Sequence, residues 1–329
     1  MITFIVITIS AAAIFMLTIP TMFYINDPSG APISPEISSN YKKGKWDKNK
    51  VYYLAGGNMS GTEILDADLE SFQVIDFRYA KDKNHIYYEH SPINVDNKTF
   101  YLDKYVPKDK NHAYYIEDAP NSGHQATIIE GANPKTYKEL EGRVYWGKDT
   151  THYYFKTQQI DVDYASFEFI SNLWAKDSNA IYLLDGFGVK KTTLDTATFK
   201  QINSNYAQDN QQIVFASWVN STPPPIYITF PLIPNAPIEV LTDIHLKHDD
   251  KIYLRGKLFD VDIDSFHAFI FNEETSSSYN GFSKDKNHVY IYDKILKEAD
   301  PESFNIVDGE YKDKNNRYWG NGKIIPEKN

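Results

Sequence analysis

Two patterns of apolar and polar residues divide the chain. From Met1 to Asn26 there is no charged side chain, and the run from Ile2 to Ile25 is dominated by Ile, Phe, Ala, Val, Leu and Met. Such a run has no polar face to turn toward water, and about 20 apolar residues suffice to cross the hydrocarbon core as a helix. The pattern predicts an N-terminal transmembrane helix over residues 1–26, with Tyr24 where an interfacial aromatic belongs. A cleaved signal segment is the other reading of this run, although no Lys or Arg precedes it and the apolar stretch is long for that purpose. Residues 27–45, with Pro28, Pro32 and Pro35 among Ser and Gly, read as an extended linker.

Beyond residue 45 the pattern changes to short apolar and aromatic beats separated by polar turns. The core of the beat reads Asp-Lys-Asn-x-apolar-Tyr-aromatic at Asp47 to Tyr53, Asp82 to Tyr88 and Asp109 to Tyr115, and again at Asp285 to Ile291 and Asp313 to Trp319. Weaker copies start at Asp149, Asp177, Asp209 and His248, and successive cores begin 27 to 40 residues apart. At the sixth place stands Tyr in every copy except the one starting at Asp209, which has Val214. A fixed period in this range is the signature of a repeat architecture.

A second signature precedes seven of the cores: Asp or Asn, two residues, Ser or Thr, then Phe or Tyr, as in Asp68 to Phe72 and Asp300 to Phe304. The first residue is a good helix N-cap, and Pro134 and Pro301 follow it where proline is tolerated. Each copy therefore predicts one capped turn that delivers an aromatic side chain to the core. The apolar beats that follow predict a strand, Asp-Lys-Asn a tight reversal with Asn in the left-handed conformation, and the Tyr-rich stretch a returning strand. One unit is thus expected to be a hairpin plus a capped turn. A single hairpin cannot bury its own apolar face, so the expectation is an all-β array of stacked β-hairpins over residues 46–329. It would be solenoid-like, with a β-propeller as the alternative.

The repeated Asp-Lys-Asn-x-x-Tyr-Tyr resembles the DKNYY family of bacterial proteins over about residues 46–320. The copies at Asp209 and His248 depart from its pattern. The resemblance is specific for a family and carries no activity with it.

Composition narrows the function classes. An aromatic share of 15% favours pleated sheets, and a formal charge of −10 argues against nucleic acid as a partner. The absence of Cys removes disulfides, thiolate chemistry and Cys-ligated metals. His85, His112, His152 and His288 share one repeat position, but equivalent places in neighbouring repeats do not readily converge on a metal. Asp260, Asp262 and Asp264 start like a calcium loop and fail it, since Ser265 stands where Gly is needed and Phe271 where a carboxylate is needed. No serine elbow, phosphate loop or dinucleotide fingerprint is present, so no enzyme and no cofactor is expected.

The repeat is broken over residues 222–237, a Pro-rich run. A segment outside the packing pattern is the expected place for binding, with Tyr227, Phe230 and Ile233 as apolar anchors for a protein partner. The sequence reading is then a single-pass protein of the bacterial inner membrane. Lys42, Lys43, Lys45 and Lys48 follow the span and taken alone would hold this side in the cytoplasm, but they are assigned to the folded array, and the body is expected outside the cytoplasm. Its expected role is protein binding or scaffolding in the envelope, in one variant as an immunity-type protein, with glycan binding or hydrolysis as the alternative.

Overall fold

The structure, a computed structural model, describes residues 27–54, 61–64, 66–119, 123–184, 186, 188–217, 226–270, 281–307 and 309–325. The expected membrane helix over residues 1–26 lies outside the described residues. Among those described, no helix is long and apolar enough to cross a membrane. The chain divides into two compact units, one ending at Asp161 and one beginning at Val162.

The described residues are built from small antiparallel sheets in which neighbours in sequence are neighbours in space. The sheet of the second repeat shows the plan: Gln73–Val74, Tyr79–Lys81, Ile86–Tyr88 and Ser91–Ile93 form a four-stranded meander. The same order recurs within residues 138–160, 168–191, 200–231, 238–259 and 267–295. In the third repeat the meander is split into two pairs, Tyr101–Asp103 with Val106–Lys108 and Tyr114–Ala119 with Gly123–Ile128, joined by a bridge from Lys108 to Ala113.

The unit is therefore four strands, the complement of a propeller blade, and the expectation of a hairpin per unit is corrected. The predicted inner pair is present, for example Tyr79–Lys81 against Ile86–Tyr88. The outer strands escaped the pattern because they are two or three residues long and often polar, like Lys138–Glu139 and Lys200–Gln201. Residues 27–45 are also not a linker. Ser29–Ser34 and Ser38–Gly44 pair as the first two strands of the first sheet. Pro32 falls on the edge strand, where a missing N–H costs no ladder bond, and Pro28 and Pro35 lie just outside its two ends. Buried Asp27 ties this edge down by accepting from the Ser29 N–H, the Ser29 hydroxyl and the Gly61 N–H.

Within each unit the apolar faces of consecutive sheets meet. Phe72, delivered by its capped turn, lies 5.7 Å from the ring of Tyr41 in the sheet before and 5.8 Å from Tyr87 in its own. Phe304 does the same 5.6 Å from both Phe282 and Tyr318. The inner strand beneath that aromatic must carry a small residue, and buried Ala80, Ala175 and Ala207 supply it. Where the aromatic is the longer Tyr137, the small residue is Gly147, whose missing Cβ would lie 2.1 Å from the Tyr137 hydroxyl. Lysines pin neighbours further: the buried Lys108 Nζ donates to the Tyr137 carbonyl, and the half-buried Lys284 Nζ to those of Pro301 and Phe304.

Candidate functional site

The repeated polar residues come first, because they must be accounted for before any can be called functional. Asp82 is buried and accepts from four directions. Oδ1 takes the N–H groups of Asn84 and His85, while Oδ2 takes the Asp68 N–H and the Tyr87 hydroxyl, at 2.7 to 2.8 Å. Asp68 in turn accepts from the Ser71 N–H and hydroxyl, the Ser71 oxygen accepts from the Lys83 N–H, and Lys83 Nζ pairs with Asp68. The two sequence signatures are thus halves of one closed circuit.

The circuit recurs around Asp285 with Asp262, Ser265 and Lys286, and around Asp313 with Asp300, Ser303 and Lys314. A Tyr hydroxyl also reaches the buried carboxylate in the copies at Asp109, Asp149 and Asp177. Burial pushes each of these carboxyls up, and the donors outweigh it: Asp149 is held down at about 2. A carboxylate whose lone pairs are filled in this way is accounted for by the fold it holds together.

The same accounting covers the other candidates. Asp262 is the cap of its turn, consistent with its place in the second signature. His85 and His112 sit at the ends of their reversals, with Nδ1 4.0 and 3.7 Å from their own Asp. Among the described residues no three His, Asp or Glu side chains are grouped to hold a metal.

The Pro-rich stretch corrects a third expectation. Residues 218–225 lie outside the described residues, but Ile226–Pro231 is a regular strand paired with Gln212–Ser217, not a protrusion. Phe230 is buried and stacks on Tyr253 with ring centroids 4.0 Å apart, and Tyr227 packs partly buried on the core of the neighbouring sheets. Ile233 is half-buried, its N–H donating to His248 Nε2. Two other residues of this strand reach a cavity. Ile226 and Ile228 line about 360 Å³ together with Leu254, Leu258, Phe259 and Tyr292. Phe230 shares the face of Ile226 and Ile228 but is buried against Tyr253, Tyr227 points to the opposite face, and Ile233 lies beyond the strand.

A second cavity lies in the first unit. A cavity of about 410 Å³ is lined by Phe77 and Arg78 from one sheet, Tyr105 and Tyr115 from the third repeat, and Glu139 from the fourth. Each is fixed by backbone rather than by chance. Asp76 Oδ1 accepts from the N–H groups of Arg78 and Tyr79, and Asn40 and Tyr41 of the first sheet donate to the carbonyls of Phe77 and Arg78. Tyr105 follows Lys104, whose positive φ of 58° makes the two-residue reversal between Tyr101–Asp103 and Val106–Lys108. Glu139 is held by the pairing of Lys138–Glu139 with Trp146–Lys148.

Phe77 and Tyr105 are large aromatics left 47% and 70% exposed at the rim of this cavity. Arg78 is already occupied, donating to the Tyr88 hydroxyl at 2.6 Å and lying 3.6 Å from the Glu89 carboxylate. Glu139 is not: among the described residues no cation lies within ion-pair distance of it. It stays open to solvent, yet enough protein surrounds it that desolvation raises its carboxyl. None of Phe77, Tyr105 and Glu139 belongs to either repeat signature, so only their proximity in the fold marks them.

A model of the DKNYY family matches residues 44–100, 88–217 and 245–328. No curated protein and no solved structure matches the chain.

Proposed function

Because the chain belongs to the DKNYY family, and the residues that define its repeat are occupied with holding turns together, we propose that it works as a protein-binding module of the cell envelope rather than as an enzyme. In this reading residues 1–26 hold it to the membrane, the sheets present a rigid surface, and the aromatic basin of the first unit receives the partner. The observation that carries the reading is the pair of exposed aromatics, Phe77 and Tyr105, beside a cavity that also holds an unpaired carboxylate. Aromatic anchors around a preformed cavity are what binding hot spots are made of. The formal charge of −10 favours a basic partner, as an immunity-type protein capturing a toxin would need.

Affinity capture from solubilised membranes with the intact chain, run beside a Phe77→Ser/Tyr105→Ser variant, tests this. A stoichiometric protein retained by the wild type and lost by the variant is the expected result. Capture indifferent to both substitutions, or no stoichiometric protein at all, overturns it. The same rings could instead stack on sugar, and retention of glycan fragments by the wild type alone would select that reading.

A further inference from the structure

Resting on the assignment of the first-unit basin as the binding site, we propose that the group it takes is an alkylammonium cation, seated between Tyr105, Tyr115 and the Glu139 carboxylate. Three observations converge on this chemistry.

The first is charge. The ionisable side chains lining the cavity are Asp76, Glu139 and Arg78, besides tyrosines. Arg78 is turned to Glu89 and the Tyr88 hydroxyl, so the space itself is left with a carboxylate excess. An anion would meet Glu139 with nothing to offset it, whereas a cation would supply the partner that Glu139 lacks.

The second is the rings. Arg78 lies 5.5 Å over Phe77 and 5.7 Å over Tyr88, so two aromatics of this basin already hold a cation on their faces. Tyr105 and Tyr115 line the same space and, among the described residues, carry none. Tyr115 is braced edge-on by Tyr145 at 6.3 Å, which keeps its ring in place. Fixed rings beside a carboxylate bind a cation through quadrupole attraction and charge together, without ordering a mobile loop.

The third is electrostatic reach. Burial is the main cause that raises the hydroxyls of Tyr79 and Tyr115, and the Glu139 charge, a lesser cause, raises both further, so that the solvent-exposed carboxylate is still felt at these rings. A volume near 410 Å³ suits one side chain or a small amine, not an extended peptide.

Titration calorimetry on the intact chain in detergent tests the proposal with four probes: choline, its neutral isostere 3,3-dimethylbutan-1-ol, Nα-acetyl-lysine methylamide and its norleucine counterpart. Both cations should bind, each about tenfold or more tighter than its neutral counterpart. Preference for the lysine probe points to a protein side chain as the natural source, and preference for choline to a free quaternary amine. Glu139→Gln should weaken both cations about tenfold with the melting temperature unchanged, and Tyr105→Ala, at an exposed position, should weaken them severalfold. Equal binding of cation and isostere, undiminished binding by Glu139→Gln, or no measurable cation binding overturns the proposal. If the Phe77→Ser/Tyr105→Ser variant loses the captured partner while Glu139→Gln retains it, only the cation assignment fails. If cations bind and no partner depends on the basin, the protein-binding reading fails instead.

Discussion

The second and seventh repeats solve the same turn in opposite ways. In the second, Asp82 and His85 face each other across a two-residue reversal, with the Asp82 N–H donating to the His85 carbonyl, and neither Lys83 nor Asn84 has a positive φ. In the seventh, His248 and Lys251 face each other in the same way, but the two residues between them, Asp249 and Asp250, have φ of 50° and 49°. Left-handed residues at both central places are what a two-residue hairpin ordinarily prefers. The second repeat departs from that preference because Asp82 Oδ1 accepts the N–H groups of Asn84 and His85, which pulls the loop into the right-handed form.

His248 cannot do this. It is fully buried, its Nε2 accepts from the Ile233 N–H, and its Nδ1–H donates to the Pro237 carbonyl. The imidazole thus replaces the contact to the preceding segment and leaves the turn to choose its own conformation. The carboxylate at the head of the motif, rather than the Asn, decides the handedness of the turn. The expectation of left-handed Asn is corrected accordingly: Asn84 and Asn287 both sit in carboxylate-held loops with no positive φ.

The largest expected effect breaks that circuit outright. Asp82→Ala removes the nearer acceptor of the buried Tyr87 hydroxyl and the acceptor of the part-buried Asp68 N–H, besides the two turn bonds, and should cost about 3 kcal/mol or more in urea denaturation. His248→Ala removes two neutral bonds and should cost about 1–2 kcal/mol. Equal costs would mean that the two hubs are interchangeable. Phe230→Ser falls between them or matches the larger, about 3 kcal/mol, because it empties a stacked core position. A variant that kept full stability would return the Pro-rich strand to the surface.

Acid sharpens the same contrast. The buried carboxyls of Asp82, Asp109, Asp149, Asp177 and Asp285, and the half-buried one of Asp313, are all held below their ordinary value, Asp149 at about 2. A depressed folded-state value means that stability is fully present above about pH 4 and drains away as pH falls through the folded values toward about 2. Circular dichroism against pH should show a cooperative loss in that window, and Asp149→Asn should flatten it. An unchanged midpoint and slope in that variant would sink the role assigned to the carboxylate.

The smallest effects lie in the turns. Asp250→Gly relieves a left-handed position and should stabilise by about 0.5 kcal/mol, whereas Asn84→Gly, in a right-handed loop, should destabilise by a similar amount. Asn84→Val should stay within about 0.5 kcal/mol of wild type, since the exposed Asn84 occupies no left-handed place. Thermal melts of the three variants would reveal a reversed order if the two loops had been assigned the wrong way round.

What the sequence by itself determined is whatever each repeat carries within reach of its own residues. The Asp that heads the motif, the capped turn before it, the Tyr five places after it and the inner pair of strands all find their partners inside one copy. Recurrence made them legible. The tertiary structure decided the rest. Outer strands such as Lys138–Glu139 have no side-chain pattern of their own and exist because a neighbouring edge offers hydrogen bonds. The side of the strand on which Phe230 falls is set by register with Gln212–Ser217. The basin is assembled from Phe77, Tyr105 and Glu139, one from each of three successive repeats and none from the signature. Its chemistry arises from the stacking of units, with repeat tyrosines such as Tyr88 and Tyr115 completing the lining, and no single copy contains it.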